Sequence, residues 1–193
     1  LNSAGGGALK SLGSLSSEVF PFPSYFLVFL KDLPAPFSAA NFSALPCDFL
    51  HDGTHIEQTY ETRRAVCLAL AQQYFSLRID LKSVQDSWLL LGITRYLSEL
   101  QLRTFHGNND YRFRVKQDIL RLVELEATSE NLYVPPLASL AAHLDDQTGS
   151  SKLNPLDRAR LQEILQLKSR LIFVLLERKI EWTFLQKLLG HLY

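Results

Sequence analysis

The longest helical pattern in the chain lies between residues 154 and 189. Asn154 suits the N-cap and Pro155 suits the first helical position, because proline lacks the amide hydrogen that a helix leaves free there. Apolar residues then recur at helical spacing: Leu161, Ile164, Leu165, Leu171, Ile172 and Leu175. Residues 171–176 are apolar on every face of a helix. We therefore predict a central helix over 154–189 that is buried all round at 171–176.

Four further helices are predicted upstream of this one. Thr54 and Glu57 have the spacing of a capping box, and the apolar stripe that follows predicts a helix to about residue 75. Ser83 and Asp86 cap the next helix, which continues to about residue 105. The turn-forming residues 106–110 separate it from a helix that ends near residue 127. Two prolines, at 135 and 136, begin a short helix before a polar loop at 145–151.

Three segments are harder to assign from their periodicity. Residues 22–33 keep helical spacing between flanking prolines, which favours a short helix, with a short buried strand as the alternative. Residues 39–45 are compatible with one turn of helix. Residues 75–81 alternate strictly between apolar and polar, as in a strand. Only residues 111–115 offer a second alternating run, so we favour an extended linker or a helix end at 75–81.

These elements predict an all-α fold, an irregular bundle or short helical stack of about six to eight helices around the long C-terminal helix. Residues 1–17 are rich in Gly and Ser and predict a flexible linker or a fusion remnant, with a single helical domain at 18–193. The sequence contains no Met and opens with Leu1, which predicts a fragment of a longer protein.

The composition of the chain limits the kinds of molecule that it is expected to bind and the compartment in which it is expected to lie. Lys plus Arg equals Asp plus Glu at 20 each, so no overall field attracts nucleic acid or an anionic membrane. The apolar run at 171–176 is too short to span a bilayer. We find no secretory signal pattern and predict an intracellular protein, in the cytoplasm or nucleus. Two cysteines, Cys47 and Cys67, are too few for a disulfide framework and are predicted to be small buried hydrophobic residues.

A group of metal-ligating residue types occurs within 47–57: Cys47, Asp48, His51, Asp52, His55 and Glu57. Two histidines four residues apart share a metal ion when both lie on one helical face. Here Gly53 and the cap at Thr54 separate His51 from His55, so that geometry is lost. We predict a solvated loop without a bound metal or cofactor, and keep an enzyme or metal site in this loop as the third hypothesis.

Signatures of catalysis are missing from the sequence. Cys67 falls on the apolar stripe of a predicted helix, where a thiol is inert. There is no Gly-x-Ser-x-Gly motif, and the three glycines at 5–7 precede neither a strand nor a helix. We therefore predict that the chain is not an enzyme.

A basic and aromatic cluster is the remaining candidate site: Arg95, Arg103, Tyr111, Arg112, Phe113, Arg114 and Lys116. Aromatic rings can stack on bases while the cations hold phosphates. The same spacing describes the solvated side of an amphipathic helix, and Asp110, Asp118, Glu124 and Glu126 dilute the positive charge. We favour a solvated face or a protein contact.

The function predicted by elimination is a non-catalytic adaptor or scaffold domain that contacts other protein subunits of a larger intracellular complex. Its alternative is a nucleic-acid-binding helical domain that uses residues 95–121.

Overall fold

The computed structural model describes residues 20, 22–51, 56–77, 79–127, 134–145, 154–180, 184, 185 and 187. Helices make up 71% of this part of the chain, and a three-stranded sheet precedes them. The strands are β1 (Phe26–Leu30), β2 (Phe37–Ala39) and β3 (Phe42–Pro46), and the helices are α1 (Ile56–Tyr74), α2 (Ser87–Ala127), α3 (Leu137–Asp145) and α4 (Pro155–Lys179). Short 3-10 turns occupy Cys47–Phe49 and Val84–Asp86. The predicted all-α fold is confirmed only in part, because the described chain is mostly helical but also contains this sheet. The sheet was not predicted, and four α-helices in the described ranges replace the expected six to eight.

The sheet has the order β1-β3-β2, with β1 parallel and β2 antiparallel to the central β3. The predicted helix within 22–33 is wrong, and the alternative of a short strand is correct. The predicted turn of helix at 39–45 is also wrong, because most of that segment is β3. Aromatic and β-branched residues favour strands, and a strand of five residues is too short for periodicity to distinguish it from a helix. Asn41, with a φ of 55°, forms the tight turn between β2 and β3.

Helix α1 packs against this sheet. The side-chain amide of the fully buried Gln73 donates to the carbonyl of Ala39 at 3.0 Å and to that of Phe42 at 3.3 Å. Leu45 of β3 is completely buried in the same core as Leu70 of α1. The sheet therefore covers one side of α1, which would otherwise expose apolar residues.

The segments around α1 are close to their predictions. The helix spans most of the predicted 54–75, although the cap residue Thr54 lies outside the described residues. Residues 75–77 form a turn and the rest of the described segment up to residue 81 contains no strand. The Ser83 hydroxyl accepts from the Gln85 amide at 3.3 Å, so Ser83 caps the 3-10 turn that leads into α2.

Helix α2 changes direction at Gly107, whose φ of 85° and ψ of 174° are not helical. We call residues 87–106 its first limb and residues 108–127 its second limb. In the contacts between the first limb and α4, the residue numbers increase in the same direction along both helices: Arg95 with Gln166, Glu99 with Arg170 and Arg103 with Glu177. In the contacts between the second limb and α4, the numbers increase along the limb and decrease along α4: Tyr111 with Glu177, Asp118 with Arg170 and Arg121 with Glu163. The limbs therefore form a hairpin, and α4 lies against both. The predicted break at 106–110 is confirmed in position, but a single residue makes it.

Helix α4 begins at Pro155 as predicted, although the Asn154 side chain makes no capping hydrogen bond. It ends at Lys179, well before the predicted end at 189. Phe173 and Val174 are buried, as expected for 171–176, but Leu175 is 59% exposed. The prediction that this run is buried on every face is therefore wrong, because one side of it borders an open groove.

The first limb and α4 come into close contact at Gly92. A Cβ atom there would lie 2.7 Å from the Phe173 ring and 2.7 Å from the Ser169 carbonyl oxygen. Only glycine allows the two helices to pack at this distance. This contact is part of the larger hydrophobic core, which contains Tyr74, Tyr96 and Phe173. A second hydrophobic core forms where α3 packs on the first half of α4.

Candidate protein-contact surface

The predicted metal-ligating loop is only partly described. Asp52 and His55 lie outside the described residues, while His51 contacts α1 through a 2.8 Å hydrogen bond between its Nε2 and the Thr62 hydroxyl. That hydroxyl lies 2.8 Å from the Phe49 carbonyl oxygen, to which it donates. His51 thus helps attach the 3-10 turn to α1. Among the residues with described positions, no three His, Cys, Asp or Glu side chains are grouped as metal ligands.

The two cysteines differ in exposure. Cys47 is half-buried, and Cys67 is buried in α1, with neither in a disulfide. Burial, reinforced by the negative charge of Glu99, raises the pKa of the Cys67 thiol to about 12. A thiol with so high a pKa is protonated at neutral pH and is a poor nucleophile.

The predicted basic and aromatic cluster is divided by the hairpin. Arg95 turns inward, where its Nη2 donates to Gln166 at 2.7 Å and burial lowers the pKa of its guanidinium. Arg103 lies over the ring of the buried Tyr111 and pairs with Glu177 at 3.5 Å. Burial and Glu177 raise the pKa of Tyr111 to about 12. These three residues hold α2 against α4 and are not presented together to solvent.

The remaining members of the cluster lie on the outside of the second limb. Arg112 and Lys116 are exposed, and Phe113 is 59% exposed. Arg114 is half-buried and donates to Asp110 at 2.7 Å, one helical turn away. The surface that is available to a partner therefore contains Arg112, Phe113 and Lys116.

A buried ionic network joins α1, both limbs of α2 and α4. Arg170 of α4 is only 5% exposed and pairs with Glu99 of the first limb at 3.7 Å and with Asp118 of the second limb. Arg64 of α1 also pairs with Glu99, at 3.3 Å. Burial lowers the pKa of Arg170, while the Glu99 carboxylate opposes that change. Arg170 therefore links the first and second limbs of α2 through ion pairs with a single residue of α4.

An apolar groove of about 320 Å³ lies between the second limb, α4 and the start of α3. Its lining comprises Val115, Ile119, Leu122, Leu137, Lys168, Leu171, Ile172, Val174, Leu175 and Arg178. Val115 and Val174 are buried and form the floor, whereas Ile119 and Leu175 are 47% and 59% exposed and form the walls. The groove is therefore open to solvent between these walls.

The charged residues of this groove are both basic and both come from α4. Lys168 forms an ion pair with Glu126, and no acidic residue in the described ranges pairs with Arg178. Arg112 and Lys116 precede Ile119 at spacings of seven and three residues, which places them on one side of the second limb. The open groove is thus apolar inside and basic at its edge.

Comparison with known proteins gives a related group of sequences. No protein-family model matches the chain. The chain is similar to transcription initiation factor TFIID subunit 2. The protein of that name from Schizosaccharomyces pombe is 29% identical over 165 residues, which is 85% of this chain and 13% of the relative. The one from Danio rerio is 29% identical over 178 residues, or 90% of this chain and 15% of the relative.

The TFIID subunit 2 of Drosophila melanogaster is 37% identical over a shorter stretch of 111 residues, which is 57% of this chain. The chain spans between 9% and 15% of the length of these three relatives. In the helices that the structure describes, no segment is both long and apolar enough to cross a membrane.

The sequence patterns did not predict the groove as a site. A signal was present, since Ile119, Leu120 and Val123 place apolar residues on more than one face of the second limb. An amphipathic helix with one buried face would not need all three. Such excess apolar surface indicates a contact beyond the core.

Proposed function

We propose that the chain is a non-catalytic protein-contact domain of a subunit in a larger transcription complex, because its relatives are named as a subunit of transcription initiation factor TFIID. The observation that carries this proposal is the similarity over 85–90% of the chain to relatives from a yeast and a fish. TFIID subunit 2 functions in the nucleus, in agreement with the predicted location in the cytoplasm or nucleus. The predicted single domain at 18–193 is the part that we propose makes these contacts.

The surface of the domain supports a role in contacting proteins. Monomeric proteins expose few large continuous apolar patches, and those they do expose are often functional. Here the groove walls Ile119 and Leu175 are exposed, as are Phe113 and Leu120 elsewhere on the second limb, and all four are exposed by 47% or more. The polar residues that are buried instead hold helices together. This distribution favours binding to another protein over chemistry on a small substrate.

Co-purification tests the proposed membership of a complex. A tagged form of the chain is expressed in cells, and a nuclease-treated extract is separated by size before mass spectrometry of the tagged fractions. We expect the chain to elute far above its own mass of 22.0 kDa together with subunits of a transcription initiation factor. Elution at its own mass without any such subunit would contradict the proposal. Nuclease treatment excludes co-purification through shared DNA.

Nucleic-acid binding is a second candidate, because Arg112, Phe113 and Lys116 are exposed side by side on the second limb. Phosphate contacts give affinity that falls steeply between about 50 and 200 mM salt. Fluorescence anisotropy with labelled single- and double-stranded oligonucleotides measures this dependence. We expect no specific binding by the unmodified chain, and no change in the fold of an Arg112→Glu/Lys116→Glu variant.

This double variant leaves the Arg114–Asp110 ion pair intact, so its effect is confined to exposed charges. Micromolar or tighter oligonucleotide binding by the unmodified chain, lost in the double variant, would show that the nucleic-acid hypothesis is correct and that protein contact is not the only role of this surface.

A further inference from the structure

The groove between the second limb of α2 and α4 is long enough to contact several turns of a helix. Its two basic residues, Lys168 and Arg178, are ten positions apart on α4. At 1.5 Å per residue they are separated by about 15 Å along the helix axis, or nearly three turns. The floor between them is apolar, and Ile119 and Leu175 stand on either side. An α-helix laid in this groove would bury one face and leave the opposite face in solvent.

We propose that the groove binds an amphipathic helix of a partner protein that carries acidic residues beside its apolar face. Apolar residues at helical spacing would fill the space between Ile119 and Leu175. A carboxylate near one end of the bound helix would reach Arg178, which has no acidic partner among the described residues. This inference rests on the proposed function as a protein-contact domain and names the chemistry of the partner.

Charge argues for this occupant over a second copy of the chain. In a symmetric dimer the same surface faces itself, so the Arg178 side chains and the basic residues of the second limb would be brought together. Like charges at an interface oppose association. The lining also argues against nucleic acid, because the apolar floor offers phosphates and bases few hydrogen-bond partners. An acidic amphipathic helix satisfies both the apolar lining and the basic edge.

A designed peptide pair tests the proposal directly. One peptide is an amphipathic helix of about three to four turns with Leu at helical spacing and Glu on both flanks, and its twin carries Lys in place of every Glu. A third peptide has the composition of the acidic one in scrambled order. Anisotropy of labelled peptides measures their affinity for the 193-residue chain. We expect the acidic amphipathic peptide to bind and the other two to bind at least about tenfold more weakly.

Three variants of the chain locate the binding site. Leu175→Asp should weaken the acidic peptide by about tenfold or more, because it places a carboxylate in the wall of the groove. Leu156→Asp is the matched control: Leu156 lies on the same helix and is 64% exposed, but it does not line the groove. Arg178→Glu should weaken the acidic peptide and strengthen the basic one. Circular dichroism confirms that all three variants remain folded.

Several outcomes would overturn the proposal. Equal binding of the acidic and scrambled peptides would remove the need for an amphipathic helix, and equal loss in Leu175→Asp and Leu156→Asp would place the site elsewhere. Concentration-dependent dimerisation that Leu175→Asp abolishes would assign the groove to a second copy. Binding that appears only after removal of residues 188–193 would assign it to the chain's own C-terminus. Failure of all peptides alongside successful co-purification would leave the proposed function intact and reject the groove as its contact surface.

Discussion

An Arg170→Met variant is expected to lose about 3–5 kcal/mol of unfolding free energy, a large share of what a domain of this size possesses. The side chains of Arg170, Glu99 and Asp118 are only 5%, 6% and 15% exposed. Removal of the guanidinium leaves Asp118 without a cationic partner in the described structure and leaves Glu99 with Arg64 alone. Buried carboxylates without compensating charge are costly. Urea denaturation followed by circular dichroism measures the loss.

Two further variants identify the cause of that loss. Arg121→Met removes an arginine from an exposed ion pair with Glu163 and should change stability little, because water replaces the lost interaction. The double variant Arg170→Met/Asp118→Leu removes both charges and should recover most of the stability, since apolar replacement of a buried ion pair is often neutral. A loss in Arg170→Met no larger than in Arg121→Met would mean that Arg170 is solvated and that the network does not join the limbs.

Phe173→Ala is expected to cost about 3–5 kcal/mol. The Phe173 ring is 3% exposed, packs against Tyr96 with a centroid separation of 6.0 Å, and lies next to Gly92. Truncation would leave a cavity at the closest contact between the first limb and α4. Thermal and urea denaturation of the variant give the change in unfolding free energy.

Leu175→Ala is the control for this prediction, because the two residues are neighbours in the same apolar run. Leu175 is 59% exposed, so its truncation should cost well under about 1 kcal/mol. From the sequence alone, Leu175 was expected to be as buried as Phe173. Equal losses in the two variants would support that expectation against the structure and would mean that the groove is filled in solution.

The helices were predictable from the sequence because each is long enough to show its period. The stripe of α1, the end of α2 at Ala127 and the start of α4 at Pro155 all follow from local patterns. The sheet was not predictable in the same way. Strand β1 pairs in parallel with β3, a partner that lies beyond β2 in the chain, and local periodicity carries no information about such pairing.

The candidate surface depended even more on tertiary structure. Arg103 and Lys116 are close in sequence and both basic, yet the reversal at Gly107 places one against Glu177 and the other in solvent. The groove exists only because the second limb folds back beside α4. A pattern of apolar residues predicts that a helix face is covered, but it does not specify whether the cover is the same chain or a partner.

The ionic network also has a consequence for the order in which the chain folds. Glu99 has a cation, Arg64, that precedes it in the chain, whereas the Asp118 carboxylate meets its cation only in the later Arg170. During synthesis both limbs of α2 leave the ribosome before α4 does. Until α4 is available, the Asp118 carboxylate lacks the cation that it pairs with in the described structure, so closing the hairpin alone does not gain this ion pair. Closure of the hairpin and docking of α4 are therefore expected to occur as one cooperative step, with the hairpin open until the last helix is available.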